Sequence, residues 1–400
     1  MLARNAWEKR KLGETNSYFT DGNYGESYPK ESELSDKENG VPFLRGSNLR
    51  NGELIEDNAN YITKEKHAEL TSGHLVEDDI VLAVRGSLGA LGYVKEENID
   101  WNINSQLAVI RTDKSELSGK FLAQFLLSWR GQKELLSRNT GTALKQLPIK
   151  QLKDVPVPIV NLDEQKEISA LFTSIDNLIA ATQDKIDALE QAKRALLQRL
   201  FDQSWRFKGY SDPWEKRKLS EVTNLITKGT TPREKGGRGE VNFIKVENLS
   251  KNGNIFTTSK VSVSEHQGYL ARSILQENDI LFSIAGSLGR TAIVPKLVLP
   301  ANTNQALAII RLSTGCVEFV ATYLSGEAID RYIRRNPTVG AQPNISLTQV
   351  ASLQIDWPSL HEQEVISKLF ARVKDLIAAT QSRLSSLELL KKALLQDLFI

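Results

Sequence analysis

A forty-residue stretch that occurs twice sets the terms for the rest of the chain. Leu162 to Phe201 and Leu360 to Phe399 share a core in which Leu178-Ile179-Ala180-Ala181-Thr182-Gln183 returns unchanged as Leu376-Ile377-Ala378-Ala379-Thr380-Gln381, at an offset of 198. Neither copy holds a Gly or Pro, and both are rich in good helix formers, so both are predicted to be helix. In the first, Phe172, Ile175, Ile179, Thr182, Ile186, Leu189, Lys193, Leu196 and Leu200 step alternately by three and four. In the second, Phe370, Val373, Ile377, Thr380, Leu384, Leu387, Lys391, Leu394 and Leu398 keep that register. An a/d seam held for about four heptads is the pattern of a coiled coil. Each helix would be roughly 57 Å long at 1.5 Å per residue. Two ordinary core helices are the plainer reading; the length and repetition favour a rod made of the two copies packed together. Lys193 and Lys391 share an a position and Thr182 and Thr380 a d position, a polar set expected either to fix one antiparallel register or, for the lysines, to snorkel at the rod's ends.

The repetition extends beyond the helices. Trp7-Glu8-Lys9-Arg10-Lys11-Leu12 returns as Trp214-Glu215-Lys216-Arg217-Lys218-Leu219, and Phe43 to Leu49 parallels Phe243 to Leu249. Asp79 to Leu82 parallels Asp279 to Phe282, Gly86-Ser87-Leu88-Gly89 returns at 286–289, and Leu107 to Arg111 answers Leu307 to Arg311. The chain is thus two copies of one unit, a globular domain and then a long helix. The boundaries read as 1–160 for the first domain, 161–205 for its helix, 206–358 for the second domain and 359–400 for the last helix. Asp79 to Val84 and Leu107 to Arg111 read as strands, Phe121 to Arg138 and Cys316 to Arg335 as helices. Each domain leaves through an extended segment, Val155 to Pro158 and Leu353 to Pro358. The expected fold is α+β, with a twisted sheet in each domain. Between the matching islands the loops diverge, as when one scaffold presents two recognition surfaces.

A single cysteine, Cys316, argues against a disulfide scaffold and fits a reducing cytoplasm. No signal peptide is visible and no run approaches a membrane span, so a cytoplasmic protein is expected. The formal net charge is only +2, but residues 206–359 carry 19 Lys and Arg against 13 Asp and Glu, while residues 1–161 carry 21 against 23. The loop from Lys228 to Gly239 joins Gly flexibility to four cations, Lys228, Arg233, Lys235 and Arg238, a combination suited either to phosphate and base-edge contacts or to a solvated surface. Thr230, Thr231, Lys245, Arg290, Asn304, Arg334, Arg335 and Asn336 complete the second domain's candidates, with Arg311 and Arg331 beside them. The first domain's set is more aromatic and amide-like: Tyr18, Tyr24, Tyr28, Lys30, Arg45, Asn48, Arg50, Arg85, Asn102, Asn104, Gln106 and Arg138. Arg reads guanine and Asn or Gln reads adenine in the major groove, so these residue types can build base readout.

Catalytic patterns are missing. There is no GxxxxGK[ST] phosphate loop and no GxGxxG fingerprint. His67, His74, His266 and His361 are scattered without metal-ligand spacing, and His361 reads as a helix N-terminal residue. Asp78, Asp79 and Glu96 leave a nuclease reading open, but Asn278 stands where the first copy has Asp78, which argues against a duplicated active site. A coiled-coil repeat adaptor joining proteins without a DNA role is the other alternative.

Two divergent domains, each introduced by a Trp-Glu-x-x-x-Leu stretch and followed by a helix that begins with Glu164-Gln165 or Glu362-Gln363 and ends Leu-Leu-Gln-x-Leu-Phe, resemble the specificity (S) subunit of type I restriction–modification enzymes. Thr230-Thr231-Pro232 is similar to a recurrent opening of that family's target recognition domains; the first domain, at Thr20-Asp21-Gly22, lacks it. The resemblance covers essentially the whole chain. It implies two tandem target recognition domains, each reading one half of a bipartite, asymmetric double-stranded DNA site, on an antiparallel coiled-coil spacer with pseudo-two-fold symmetry. Phe172, Ile179, Ile186, Lys193, Phe370, Ile377, Leu384 and Lys391 would line that spacer, whose length corresponds to at most about 17 base pairs at 3.4 Å each. It further implies docking of two adenine methyltransferase (M) subunits and two motor-nuclease (R) subunits. The chain itself would be non-catalytic and bind no cofactor or metal; S-adenosylmethionine, ATP and Mg²⁺ would be used by its partners.

Overall fold

A computed structural model of the chain describes residues 7–22, 25–141, 145–233, 239–250, 252–335 and 344–399. The two predicted long helices are present, a central helix at Leu162–Phe201 and a C-terminal helix at Leu360–Leu398. The chain divides into two compact units, the first made of two separate stretches, Met1–Gln183 and Ser382–Ile400, and the second of the stretch between them, Asp184–Gln381. Each unit therefore holds one globular domain, the first half of the helix that follows it and the last half of the other helix.

In the first unit an antiparallel sheet runs in the order Tyr18–Asp21, Leu107–Arg111, Ile80–Ala83, Leu91–Tyr93. The inner strands are apolar from Ile80 to Ala83 and from Leu107 to Ile110 because both faces are covered. Ile80, Leu82, Ala108 and Ile110 face a core shared with the helices, including Phe121, Phe172 and Phe399. Val81, Ala83, Leu107 and Val109 face the opposite way, onto Leu44, Leu75 and Ile103. Those last residues lead to a second sheet, ordered Asn102–Ile103, Val41–Leu44, Asn60–Ile62, Leu34–Ser35, in which the first pair is parallel. The second unit repeats the plan with Thr223–Lys228, Leu307–Leu312, Ile280–Ser283 and Thr291–Ile293, and a three-stranded sheet of Ser259–Val261, Val241–Ile244 and Ala301–Thr303. The period-two alternation again splits each central strand between two cores. Each domain thus has two sheets of three or four strands, besides shorter two-stranded pairings, where one was expected.

The recurring motifs meet in space. The Glu8–Lys11 segment pairs antiparallel with Pro156–Ile159, and Glu215–Lys218 with Gln354–Trp357, so each domain's entry is clamped to its exit. Trp7 Nε1 donates to Glu164 Oε1 at 3.2 Å, and Trp214 Nε1 to Glu362 Oε2 at 3.1 Å. The glutamines beside those glutamates are fully buried. Gln165 accepts from the Ser118 amide at 2.8 Å and donates to the Glu116 and Val160 carbonyls. Gln363 accepts from the Cys316 amide at 2.9 Å and donates to the Pro358 carbonyl at 3.0 Å. Each pins its helix start to its own domain.

The helix ends are aromatic plugs. In the first unit Phe399 lies with its ring centroid 5.7 Å from Trp7, 5.7 Å from Phe121 and 5.5 Å from Phe125. In the second, Phe201 meets Trp214, Phe319 and Tyr323. The predicted seam residues are buried or half-buried, Phe172, Ile186, Phe370 and Ile377 among the deepest. Thr182 and Thr380 bond back to carbonyls of their own helices, Leu178 and Leu376. Lys391 does not meet a second lysine; its Nζ reaches Asp176 Oδ1 at 2.5 Å.

The segments 121–138 and 316–335, read as single helices, are each broken in two. A continuous helix through Ser128 is blocked because Ser128 is extended and its hydroxyl accepts from the Gly131 amide at 3.1 Å, starting a new helix. No helix among the described residues is long and apolar enough to cross a membrane.

Candidate nucleic-acid interface

In the second domain the strand Thr223–Lys228 ends in a turn at Gly229. A Cβ there would lie 2.0 Å from the Thr303 carbonyl oxygen, so only glycine fits. The Thr230 amide then donates to that same Thr303 oxygen at 3.0 Å, and its hydroxyl accepts from Arg272 Nε at 3.2 Å. Thr231 donates to Gln305 Oε1. The Arg233 amide donates to Glu265 Oε1 at 2.6 Å, and its guanidinium lies 3.9 Å from the Tyr269 ring centroid. Lys245 follows Ile244, which pairs in parallel with Thr303, and so stands beside Asn304. Lys228, Thr230, Thr231, Arg233, Lys245 and Asn304 therefore converge where the two sheets end. Arg272, Tyr269 and Gln305 join them; sequence reading missed these three because the loops that carry them are far apart in the chain. Cations and hydroxyls of this kind contact phosphates, while Arg, Asn and Gln supply the donors and acceptors that distinguish base edges.

The first domain builds the same corner differently. Asp21 faces Ala108 as Lys228 faces Ala308, so Gly22, with its own would-be Cβ 2.0 Å from the Asn104 oxygen, is the counterpart of Gly229. This corrects the sequence alignment: Thr20-Asp21-Gly22 matches Thr227-Lys228-Gly229, and the counterparts of Thr230 and Thr231 lie outside the described residues. Arg45 donates to the Asn58 carbonyl at 2.9 Å and Arg85 to the Ser105 carbonyl at 2.9 Å. Asn104 accepts from the Gln106 amide at 3.0 Å, which sets the turn that exposes Gln106. Arg45, Arg85, Asn104 and Gln106 thus share one end of the sheets.

Other candidates stand apart from this corner. Tyr18, 58% exposed, opposes Arg111 at the far end of its strand, roughly 10 Å from Asp21. Tyr28 is exposed and meets Phe43 edge-on at 5.7 Å; Lys30 is exposed at the start of a helical turn. Arg50 lies on a short hairpin, its Nε donating to Ser47. Arg334 and Arg335 are exposed at the end of the helix Glu327–Arg335. Tyr24, Lys235, Arg238 and Asn336 lie outside the described residues.

Several candidates are spent on the fold itself. Asn48 is buried, with its oxygen accepting from the Arg45 amide and its nitrogen donating to the Ile55 and Asp57 carbonyls. Asn102 is fully buried within its strand. Arg290 holds the Leu249 carbonyl at 3.1 Å, and Arg138 binds Glu134 and the Asp154 carbonyl. Arg311 forms a fork with the fully buried Asp279 at 2.7 and 2.8 Å, which raises the guanidinium pKa through the hydrogen bond and the opposite charge. Arg111 and Asp79 make the equivalent fork. Asp78 caps the helix Gly119–Leu127 through the Gly119 and Lys120 amides and accepts from Tyr93, whose hydroxyl is driven up by burial and that carboxylate. These carboxylates thus serve as structural anchors.

The histidines are not all dispersed as the sequence spacing implied. The fold gathers His67, His74 and Asp100. His361 does sit in the first turn of the C-terminal helix, where its Nδ1 meets the Tyr210 hydroxyl.

The family model described as Type I restriction modification DNA specificity domain matches the chain twice, over residues 5–191 and 211–389. A putative type I restriction enzyme MjaX specificity subunit from Methanocaldococcus jannaschii is 24% identical, with 97% of this chain aligned to 92% of the relative. The MjaVIII specificity subunit of the same organism is 20% identical over 88% of this chain and 84% of its own length. Among solved structures, a type I restriction–modification S subunit from M. genitalium superposes with a TM-score of 0.60 at 16% identity, covering 100% of this chain and 98% of that one. The S subunit from Thermoanaerobacter tengcongensis gives 0.51 at 16% identity, over 98% and 96%.

Proposed function

Since the chain belongs to the type I restriction–modification DNA specificity family, with both of its domains matched, we propose that it is the subunit that reads a two-part DNA site for a methyltransferase complex. The observation that carries this reading is the duplicated corner at the sheet ends. One scaffold places Lys228, Thr230, Thr231, Arg233, Lys245 and Gln305 there in the second domain, and Arg45, Arg85 and Gln106 in the first. Different side chains on one frame fit an asymmetric site in which each domain reads its own half.

In this reading the long helices form a spacer that sets how many base pairs separate the halves. Their outward leucines, Leu171 and Leu178 on the central helix and Leu376 and Leu389 on the C-terminal one, are 46–67% exposed and support docking of partner subunits. Adenine methylation with S-adenosylmethionine, and ATP- and Mg²⁺-dependent cleavage, would then be the work of two M and two R subunits. The test is a genome methylation map by single-molecule sequencing, with the neighbouring methyltransferase expressed and this chain present or absent. A two-part adenine motif with a fixed spacer should appear only when the chain is present. An unchanged map, with the methyltransferase complex formed, would overturn the reading.

A further inference from the structure

The geometry points to a zinc site in the first domain, made by His67, His74 and Asp100, that clamps the segment leading into the recognition corner. The three side chains come from separate places: the helix Lys64–Glu69, the segment before the strand Ile80–Ala83, and the turn before the strand Asn102–Ile103. Their ligand atoms all lie within 4.8 Å of one another. His67 Nε2 is 3.1 Å and His74 Nδ1 is 3.8 Å from the same Asp100 Oδ1. Tetrahedral zinc with bonds of 2.0–2.2 Å holds its ligand atoms about 3.3 Å apart, so the two distances bracket the required spacing.

The imidazoles are set up for the task. His74 Nε2 lies 2.7 Å from the Leu70 carbonyl, which holds the ring proton there and leaves the Nδ1 lone pair facing Asp100. That is the outer hydrogen bond that metal-bound histidines use to fix tautomer and ring direction. His67 is 93% buried, and its Nδ1 has no hydrogen-bond partner among the described residues; with zinc bound, the ring proton would sit there and Nε2 would present its lone pair to the ion. The two rings lie 4.4 Å apart between centroids. Two imidazoles and a carboxylate are a zinc ligand set, with water in the fourth position.

The duplication provides an internal control. His266 is the counterpart of His67, each the fourth residue of a helix opened by a Ser or Thr cap. Ile274 bridges Asn302 as His74 bridges Asn102, and Pro300 stands where the first domain has Asp100. His266 Nδ1 is instead 2.6 Å from Asn302 Oδ1. The second copy keeps one ligand of three and spends it on a hydrogen bond. In the first, zinc would tie the helix Lys64–Glu69 to the chain that runs on through Asn102 to Asn104 and Gln106.

The test uses the full-length chain, stripped of metal and titrated with ZnCl₂, with bound zinc counted by elemental analysis and Co²⁺ as a coloured substitute. The expected result is one zinc per chain, tetrahedral Co²⁺ absorption bands, and a melting temperature that rises with added zinc. His74→Ile, which installs the residue the second copy already tolerates, and Asp100→Asn should each weaken zinc binding at least about tenfold; His266→Ala should leave it unchanged. No bound zinc in the unaltered chain, or equal binding by His74→Ile and Asp100→Asn in chains that remain folded, would overturn the site. The outcome is independent of DNA recognition.

Discussion

The seam of the paired helices is electrostatically lopsided, and one substitution exposes this. In the first unit Lys391 pairs with Asp176, with 20% and 39% of their side chains exposed. The repeat offset of 198 carries Asp176 onto Lys374 and Lys391 onto Lys193. The second unit therefore sets two ammonium groups where the first sets an ion pair. Lys374 is held below the ordinary lysine value of 10.5, first by desolvation and then by the Lys193 charge, with Asp375 opposing. Lys374→Asp would install the first unit's arrangement in the second. Two unit charges about 4 Å apart interact by about 4 kcal/mol at an effective dielectric of 20, a ceiling for this site. Measured pairs of comparable exposure contribute about 0.2–1 kcal/mol. Because the change removes a repulsion and adds an attraction, about 1 kcal/mol of stabilisation is expected, or roughly 2–4 °C for a unit of this size. Calorimetry in low salt should rank Lys374→Asp above Lys374→Gln, and Lys374→Gln above the unaltered chain. In about 1 M NaCl, where the Debye length is about 3 Å, the order should collapse. The reasoning fails if Asp does not exceed Gln, or if salt leaves the difference intact. The pH dependence carries the same signature. Unfolding restores Lys374 to its ordinary value and takes up a proton in the window between the depressed value and 10.5, so stability should rise with pH there, and Lys374→Asp should abolish that gain.

Gln363→Ala strands the Cys316 amide and the Pro358 carbonyl in a buried site and should cost about 2–3 kcal/mol, read as a shift in the urea midpoint without a change in slope. Phe399→Ala empties the ring cluster around Trp7, Phe121 and Phe125 and should cost about 3–5 kcal/mol; a loss under about 1 kcal/mol would show that the helix end is not docked there. Asp279→Ala leaves the Arg311 guanidinium unpaired in a partly buried site and should cost about 3–5 kcal/mol, while Arg311→Met with Asp279→Leu should recover much of it. Arg233→Ala should weaken binding of the assembled complex to its own site by about 1–3 kcal/mol and relax one base position, whereas Lys228→Ala should weaken binding uniformly across sequences and flatten the salt dependence, both measurable by fluorescence anisotropy.

The sequence by itself determined the duplication, the two long helices, their seam and the family, because each is a local pattern that recurs in the same order along the chain. An a/d seam needs only residues three and four apart, and a strand with two covered faces announces itself as an unbroken apolar run, as Leu107 to Ile110 does. Tertiary structure decided what long-range pairing controls. Asn48, Asn102, Arg290 and Arg311 are base-reading residue types, yet burial and partners distant in sequence turn them into structural anchors. The same closure brings Arg272, Tyr269 and Gln305 to Thr230, Thr231 and Arg233, and His74 and Asp100 to His67, across gaps that no local pattern spans. A side chain's chemistry is written in the sequence; whether it faces a ligand or a carbonyl of its own chain depends on which segments the cores of the fold draw together.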